Sequence, residues 1–329
     1  MTPRENALAI LDRKQPDAYF DFMEAVEIVP DPLLMAGMIP QDGKEHADLW
    51  GTVHIFKPGA PGSHPHITEQ NKVIPDIEHW QERLSVPDTE SMDWSFTKQY
   101  VAGVDRRKKL VCVMLSAGLF ERSHFLMGME DALCAYLEYP EEMAALLTEI
   151  KNHKVQYIRR MAAEIRPDVI FYHDDWGSKQ NLFLPPRVWR SIIKPLQREI
   201  ADTIHECGML YMHHADCICE PIAEDMVEIG VDIWQGVIPQ NDIVKIQRIT
   251  GGRLAMVGGI DGPAIDVASA TEEEIRAEVR RAVDTYCPAG RFFPSIPNGQ
   301  CYLERNNAIA MDELKSYGRQ WALEHPAAT

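Results

Sequence analysis

The feature that most constrains this chain is the regular alternation of short apolar runs and amphipathic stretches that begins at Lys109. The short runs are rich in β-branched and apolar residues, as in strands buried on both faces of a parallel sheet. Apolar residues recur at three- and four-residue spacing between them, as in helices packed on a core. The predicted strands are Lys109–Ser116, Asp168–His173, Met209–His213, Val231–Gln235, Arg253–Gly258 and Arg291–Ser295. The predicted helices include Pro186–Glu206, Glu220–Ile229, Asp242–Ile249 and Leu303–Trp321. This pattern predicts a parallel sheet covered by helices.

Closure of that sheet depends on the residues before Lys109. One more strand is predicted near Ala18–Met23, and a closed barrel needs an eighth strand elsewhere in this region. A doubly wound open sheet is the alternative, but neither G-x-G-x-x-G after the first strand nor G-x-x-x-x-G-K-[ST] occurs, so Rossmann and P-loop nucleotide binding are not supported. We predict an α/β fold, a (β/α)8 TIM barrel with an N-terminal extension, as one domain over residues 1–329.

Charge and composition argue against several classes of function. The chain has 50 Asp and Glu against 33 Lys and Arg, a net charge of −17, which opposes binding to nucleic acid or to an anionic membrane surface. It has no apolar run of membrane-spanning length, and Met1–Asp21 lacks the apolar centre of a signal peptide. Its seven scattered cysteines are typical of reduced thiols. We expect a cytoplasmic protein; the oligomeric state stays open, with a homodimer as one option.

Polar residues collect where the predicted strands end, and (β/α)8 enzymes carry their active sites at that edge. Two neighbouring strands run into Asp174-Asp175 and into His214-Ala215-Asp216. Two carboxylates in a site of low dielectric raise one pKa, which suits a general acid. The alternative is that both aspartates begin the following helix. His214 and Asp216 are two positions apart, so an extended backbone would place them on one side, as an acid/base pair or as metal ligands.

Further candidates follow the other strands. Imidazole and carboxylate suit Zn²⁺ or Fe²⁺, and a thiolate at Cys217, Cys219 or Cys301 would favour zinc. We predict His214, Asp216 and Cys301 as the metal ligands. The alternative is a hydrogen-bonded structural histidine. Aromatic side chains at the barrel mouth could stack on a substrate ring, although each is also an ordinary core residue. The residues predicted to bind substrate are Phe120, Glu121, Trp176, Trp234 and Asn298.

Taken together, these motifs resemble the uroporphyrinogen decarboxylase/corrinoid methyltransferase superfamily over nearly the whole chain. D-L-W-G-T at 48–52, G-L-F-E-R at 118–122 and D-D-W-G at 174–177 each look like an element of that superfamily. H-A-D-C at 214–217, followed by P and by G-V-D, is similar in spacing to its H-S-C-G…P…G-V-D pattern. The joint order and spacing of the motifs are more specific than any one of them.

The resemblance implies a (β/α)8 barrel and suggests methyl transfer. Members of the methyltransferase branch use the His and Cys of H-x-C and a later Cys to bind zinc, and they move a methyl group between a small substrate or thiol and the cobalt of a corrinoid protein. Here His214 is kept, but Asp216 stands in the place of the first Cys. Asn298 falls nearest the place of the later one, and Cys301 lies three residues on. Zinc would therefore need an altered ligand set.

That difference also bears on the substrate. A thiol acceptor needs a soft Lewis acid that holds it as thiolate, whereas carboxylates can help an O-methyl donor lose its oxygen. The stretch at 57–65 and the L-F-E-R segment look like those of first-step methyltransferases of aryl methyl ether O-demethylase systems. We expect methyl transfer from a methoxylated aromatic to a corrinoid protein. Asp174 or Asp175 would orient or protonate the substrate oxygen, and Glu121 would hold either the substrate or a side chain that supports the site. The alternatives are a uroporphyrinogen decarboxylase-type enzyme, a methylcobamide:thiol methyltransferase and a non-catalytic barrel that binds a corrinoid protein.

Overall fold

A computed structural model describes residues 1–60 and 62–326 of the chain. The strands are β1 (Val26–Ile28), β2 (Glu45–Ala47), β3 (Val53–Ile55), β4 (His64–Pro65), β5 (Leu110–Leu115), β6 (Val169–His173), β7 (Leu210–His214), β8 (Ile233–Val237), β9 (Ala255–Gly259) and β10 (Phe292–Ser295). Seven of them form one parallel sheet in the order β1-β5-β6-β7-β8-β9-β10, and β2, β3 and β4 form a small antiparallel sheet. From β5 onward the spatial order follows chain order, as helical crossovers in one direction produce. The predicted α/β fold with a TIM-barrel-like parallel sheet is confirmed.

Helices separate the parallel strands. They are α1 (Pro3–Leu11), α2 (Pro32–Ala36), α3 (Ser95–Ala102), α4 (Leu119–Met127), α5 (Met129–Glu138), α6 (Pro140–Ile165), α7 (Pro186–Glu206), α8 (Ala223–Ile229), α9 (Ile243–Ile249), α10 (Gly262–Ile265), α11 (Glu272–Tyr286) and α12 (Glu304–Glu324). The predicted bounds of α7 are confirmed, because Pro186 suits the first helical position and an apolar stripe follows it. Every residue of β8 and β9 is buried, as expected for strands covered on both faces.

The beginning of the sheet differs from the prediction. The strand expected at Ala18–Met23 is instead Val26–Ile28, because Asp21 accepts a hydrogen bond from the Met23 N–H and starts a 3₁₀ turn. The preceding segment still lies beside β10, where the Ser295 hydroxyl donates to Asp21 at 2.6 Å. In the described part of the chain no ladder joins β10 to β1, and the eighth strand expected before Lys109 is not part of this sheet. Side-chain contacts therefore link the two edges.

The small antiparallel sheet lies before β5 in the chain, and the stretch at 57–65 ends in its strand β4. β3 pairs with β2 and with β4. The sheet is tied to the barrel by an ion pair in which Arg122 of α4 donates to Asp48 at 2.7 Å. The guanidinium also lies over the Trp50 ring, 5.0 Å from its centroid. This region consequently covers the edge of the barrel at which β5 ends.

Among residues 1–60 and 62–326, the helices all fall short of the length or apolarity that crossing a membrane requires. The seven cysteines are free thiols, as the sequence predicted.

Candidate active site at the carboxyl ends of the strands

Asp174 follows β6 and is fully buried, with 0% of its side chain exposed. Its carboxylate accepts hydrogen bonds from the backbone N–H groups of Phe120 at 3.2 Å and Glu121 at 2.9 Å, and from the Trp176 indole at 2.9 Å. Burial, and then the charge of Glu121, raise the pKa of Asp174 to about 7. Gly118 is required beside it, because a Cβ atom there would overlap the Asp174 side chain. The carboxylate of Asp174 is therefore held by hydrogen bonds to the first turn of α4.

Asp174 in this way positions Glu121, which forms an ion pair with His173 at the end of β6. The Nδ1 of His173 donates to a carboxylate oxygen of Glu121 at 2.9 Å. Burial works to lower the pKa of His173, but the hydrogen bond and charge of Glu121 outweigh it and raise that pKa to about 9. Burial works to raise the pKa of Glu121, but His173 outweighs it, so that pKa lies below its usual value. The pair is thus charged in the folded protein.

His214 lies opposite His173, because β6 and β7 pair in parallel with these two residues in register. The imidazole rings stack with centroids 4.3 Å apart. The Nδ1 of His214 donates to the side-chain oxygen of Gln235, which lies on the neighbouring strand β8. Burial, and then the positive charge of His173, lower the pKa of His214 to about 4. The two histidines therefore differ in charge at neutral pH.

Asp175 completes a group that we call the histidine–aspartate cluster, consisting of His173, Asp175 and His214. One ligand-type atom from each of the three side chains lies within 4.8 Å of the other two. One carboxylate oxygen of Asp175 accepts the Asp216 backbone N–H at 3.0 Å. Burial, and then the charge of Glu121, raise the pKa of Asp175 to about 7.

The predicted metal ligands Asp216 and Cys301 lie outside this cluster. β7 ends at His214, so the two-residue spacing that assumed an extended backbone no longer applies at Asp216. The Asp216 carboxylate instead pairs with the Lys179 ammonium at 2.8 Å. Cys301 is buried beyond β10, with 4% exposed, and Asn307 accepts its backbone N–H at 3.0 Å. His173 was missed because it reads as the last residue of a strand; applying the strand-end rule to both neighbouring strands would have found it.

The three predicted substrate-binding aromatics are core residues. Phe120 stacks on Phe183 with centroids 5.6 Å apart, and Trp176 stacks on His213 at 3.9 Å. The indole of Trp234 donates to the backbone oxygen of Ala215 at 2.8 Å. Each of the three side chains is at most 1% exposed, so all three are packed in the core, as the alternative in the sequence analysis stated. The predicted Asn298 is exposed on the segment after β10, and the Gln235 side chain donates to the backbone oxygen of the preceding Pro297 at 3.2 Å.

A cavity of about 390 Å³ adjoins the cluster, between the end of β5, helices α2, α4 and α6, and the small antiparallel sheet. Glu121 and His173 belong to its lining, so the cavity and the cluster share a wall. Its other walls are largely apolar and aromatic. They include Leu33, Met38, Trp50, Phe56, Met114 and Phe125. The sequence did not predict this cavity, because its walls come from segments far apart in the chain.

The cavity contains one buried amine, that of Lys154 on α6. Its Nζ donates to the Ala117 backbone oxygen at 2.7 Å and lies 5.1 Å from the centroid of the Tyr172 ring. Burial, and then the nearby Arg122, lower the pKa of Lys154 to about 7. An ammonium has three donors, so two remain for a bound molecule. A group that titrates near neutrality in a cavity is suited to proton transfer.

Asp31, which caps the start of α2, also lines this cavity. Asp31 is 1% exposed, and Tyr157 donates its hydroxyl to one of its carboxylate oxygens. The other oxygen of Asp31 makes no hydrogen bond. Burial raises the pKa of Asp31. The cavity thus offers an amine and a carboxyl group within apolar walls.

Comparisons with known proteins place this geometry in context. The family model described as uroporphyrinogen decarboxylase (URO-D) matches residues 60–293. A solved structure of a methyltransferase from Methanosarcina mazei is similar with a TM-score of 0.59 and 14% identity, over 96% of this chain and 86% of that one. A 3-keto-D-glucoside 4-epimerase from E. coli aligns at a TM-score of 0.32 and 12% identity, over 64% of this chain and 98% of that one. No curated protein matches the sequence.

Proposed function

The chain belongs to the uroporphyrinogen decarboxylase family, and from that premise we propose that it transfers a methyl group from a small methoxylated aromatic compound to the cobalt of a corrinoid carried by a partner protein. The observation that carries the proposal is the cavity of about 390 Å³ with aromatic and apolar walls and one buried amine. Small-molecule sites have volumes of roughly 300–1,000 Å³, mostly apolar walls and a few polar groups that fix orientation. A substituted benzene ring fits that description.

The cavity is less suited to the substrate of a uroporphyrinogen decarboxylase. A tetrapyrrole with its carboxylate arms is larger than this space, and it requires several free cations. The cationic groups of the lining are Arg122, Lys154 and His173, of which Arg122 is already paired with Asp48 and His173 with Glu121. A neutral aromatic ether requires neither the volume nor the cations. The shape and charge of the cavity therefore favour the methyl donor over the porphyrinogen.

Demethylation of an ether leaves the bonding electrons on the oxygen, which must then be protonated or otherwise neutralised. A reduced corrinoid supplies the nucleophilic cobalt that accepts the methyl group. In our proposal Lys154 donates a hydrogen bond and then a proton to the departing oxygen, because its ammonium is buried and titrates near neutrality. Glu121 and His173 line the same cavity, and in our proposal they contact the ring and orient its methoxy group. The apolar walls exclude water, which strengthens the interaction between the ammonium and the oxygen.

The test is an anaerobic assay with purified protein, cob(I)alamin and one donor at a time. Methoxylated benzenes, methanol and methylamines are compared, and the absorbance change of corrinoid methylation is followed. We expect methylation with methoxylated benzenes and release of the matching phenol. The demethylated phenols, and reactions without protein, serve as controls. Methylation with methanol or amines alone would contradict the aromatic donor.

If free corrinoid gives no turnover, the assay is repeated with a native corrinoid protein. Silence with every donor would refute the proposal. Loss of CO₂ from a porphyrinogen would then identify a decarboxylase, and methylation of a thiol by methylcobalamin a second-step methyltransferase. Binding of the corrinoid protein without turnover would identify the non-catalytic barrel.

A further inference from the structure

We propose that the histidine–aspartate cluster binds one divalent transition-metal ion through one nitrogen each of His173 and His214 and one oxygen of Asp175. The site is independent of the identity of the methyl donor. Its ligand atoms lie within 4.8 Å of one another. Atoms that share an ion lie at most about 4.2 Å apart, twice a metal–ligand distance of about 2.1 Å. A small rotation of these partly exposed side chains is therefore sufficient to enclose a metal.

The hydrogen bonds around the two histidines support this assignment. His173 donates from Nδ1 to Glu121 at 2.9 Å, and His214 donates from Nδ1 to the Gln235 oxygen. In His214 the second nitrogen, Nε2, is left with a free lone pair, and in the charged His173 the same nitrogen becomes a ligand when the metal displaces its proton. Metal-binding histidines typically donate their other N–H to a carboxylate or carbonyl, which fixes the tautomer and the orientation of the ring. Two neighbouring histidines with this same arrangement are what a metal site requires.

Asp175 is also held by a hydrogen bond that leaves one of its atoms available to a metal. One of its oxygens accepts the Asp216 N–H at 3.0 Å, which holds the carboxylate in place and leaves the other oxygen as a ligand. Two imidazoles and a carboxylate match sites for Zn²⁺, Fe²⁺ and Co²⁺. Three protein ligands also leave a coordination position open for water or another small ligand.

The thiolate-containing ligand set that the family resemblance suggested does not fit this chain. Asp216 is engaged with Lys179 at 2.8 Å. Cys217 and Cys219 are buried against each other with their sulfur atoms 3.5 Å apart. Among the described residues, neither Asp216 nor a cysteine joins a group of three ligand-type side chains of this kind. The inferred site consequently contains nitrogen and oxygen ligands alone.

The experiment measures metal binding directly, without an activity assay. Full-length protein is stripped with a chelator, dialysed against Zn²⁺ or Co²⁺, and its metal content is determined. We expect about one ion per chain, and a cobalt spectrum without a thiolate-to-metal charge-transfer band, since no sulfur is bound. His214→Ala and Asp175→Asn should each weaken binding more than about 100-fold, because first ligands matter more than their supporting partners. Asp175→Asn nearly preserves shape, and circular dichroism and thermal melts check folding.

Two further variants distinguish the ligand sets. Glu121→Gln should weaken binding by about 10- to 100-fold, because it removes only the charge that orients His173. Cys301→Ser is the matched control and should leave metal content and affinity unchanged. A charge-transfer band that Cys301→Ser abolishes would overturn the proposal in favour of the family-type site. Binding that survives both His214→Ala and Asp175→Asn would overturn it in favour of adventitious metal. This experiment measures metal content and not turnover. Absence of metal binding would therefore not contradict the proposed methyl transfer, and absence of methyl transfer would not contradict the metal site.

Discussion

The cavity and the histidine–aspartate cluster share His173, yet they are built in different ways. The cluster is local: β6 and β7 are adjacent, parallel and in register, so their last residues meet. The cavity is assembled from α2, the small antiparallel sheet, α4 and α6, whose residues range from 31 to 157 in the chain. Strand-end chemistry places charged ligands, whereas long-range packing provides volume and exclusion of water. The proposed methyl donor requires an enclosed volume without water, and the proposed metal requires charged ligands.

The most severe test of the cavity's role is Lys154→Met. This change keeps the length of the side chain and removes the amine, and we expect methyl transfer to fall by about 100- to 1,000-fold, as loss of a general acid does. Metal binding by the cluster should stay unchanged. The matched control is Lys151→Met on the same helix, which removes an amine paired with Glu199 at 2.6 Å and outside the cavity. Equal loss in both variants would show that only helix packing was disturbed.

The same residue predicts the pH dependence of the reaction. Burial and Arg122 lower the pKa of Lys154 to about 7, while the charges of Asp174 and Glu121 act in the opposite direction. The protonated amine is the competent acid, so kcat/KM should decline as pH rises through about 7. The profile is measured as kcat/KM from pH 5.5 to 8.5, and it should lose this limb in Lys154→Met. A limb that persists in the variant would assign it to another group.

Asp48→Asn tests whether the cavity depends on its cover. Removing this charge leaves Arg122 buried without a counter-ion, and we expect the free energy of unfolding at pH 7 to fall by about 3 kcal/mol. Burial raises the pKa of Asp48, but His54 and Arg122 outweigh it and lower the value to about 2 from 3.8. Because the folded-state pKa is depressed, this contribution is present above about pH 4 and is lost as pH falls toward 2.

Denaturant unfolding from pH 2 to 7 measures this effect. Asp48→Asn should lack the part of the acid limb worth about 2 kcal/mol. Asp42→Asn in the same region is the control, because Asp42 is exposed, pairs with the partly exposed His46 and should change stability by less than about 0.5 kcal/mol. Donor affinity should weaken in Asp48→Asn while metal affinity does not. Equal loss of both would mean that the cavity and the cluster form one cooperative unit.

The two regions also differ in how far the sequence could predict them. The alternation after Lys109 determined the sheet, and the strand-end rule located Asp175 and His214, because both signals are local. The rule failed two residues beyond β7, at Asp216, whose side chain pairs with Lys179. Arg122 and Asp48 lie in two motifs whose contact no local pattern encodes, and Lys154 reads as an ordinary helix residue. Volume and pairing across the fold depend on tertiary packing, which periodicity does not describe.

The smallest expected effect separates the two adjacent aspartates. Asp174→Asn replaces an acceptor of three N–H groups by an amide that can satisfy only some of them, and buried donors without partners are costly. We expect a loss of about 2 kcal/mol in the free energy of unfolding of the metal-stripped protein. Asp175→Asn keeps its acceptor for the Asp216 N–H and should cost less than about 0.5 kcal/mol. Urea unfolding of both variants at pH 7 measures the difference.

The two variants should rank in the opposite order for metal content. Measuring both stability and metal content therefore separates the roles of the two aspartates. Asp175→Asn should lose the metal although its fold is intact, because an amide is a poorer ligand than a carboxylate. Asp174→Asn should retain the metal at temperatures at which it remains folded, because its carboxylate faces α4. If Asp174→Asn were neutral in stability, Asp174 would not be the anchor of that helix. If both variants lost stability and metal together, the cluster could not be distinguished from the packing beneath it.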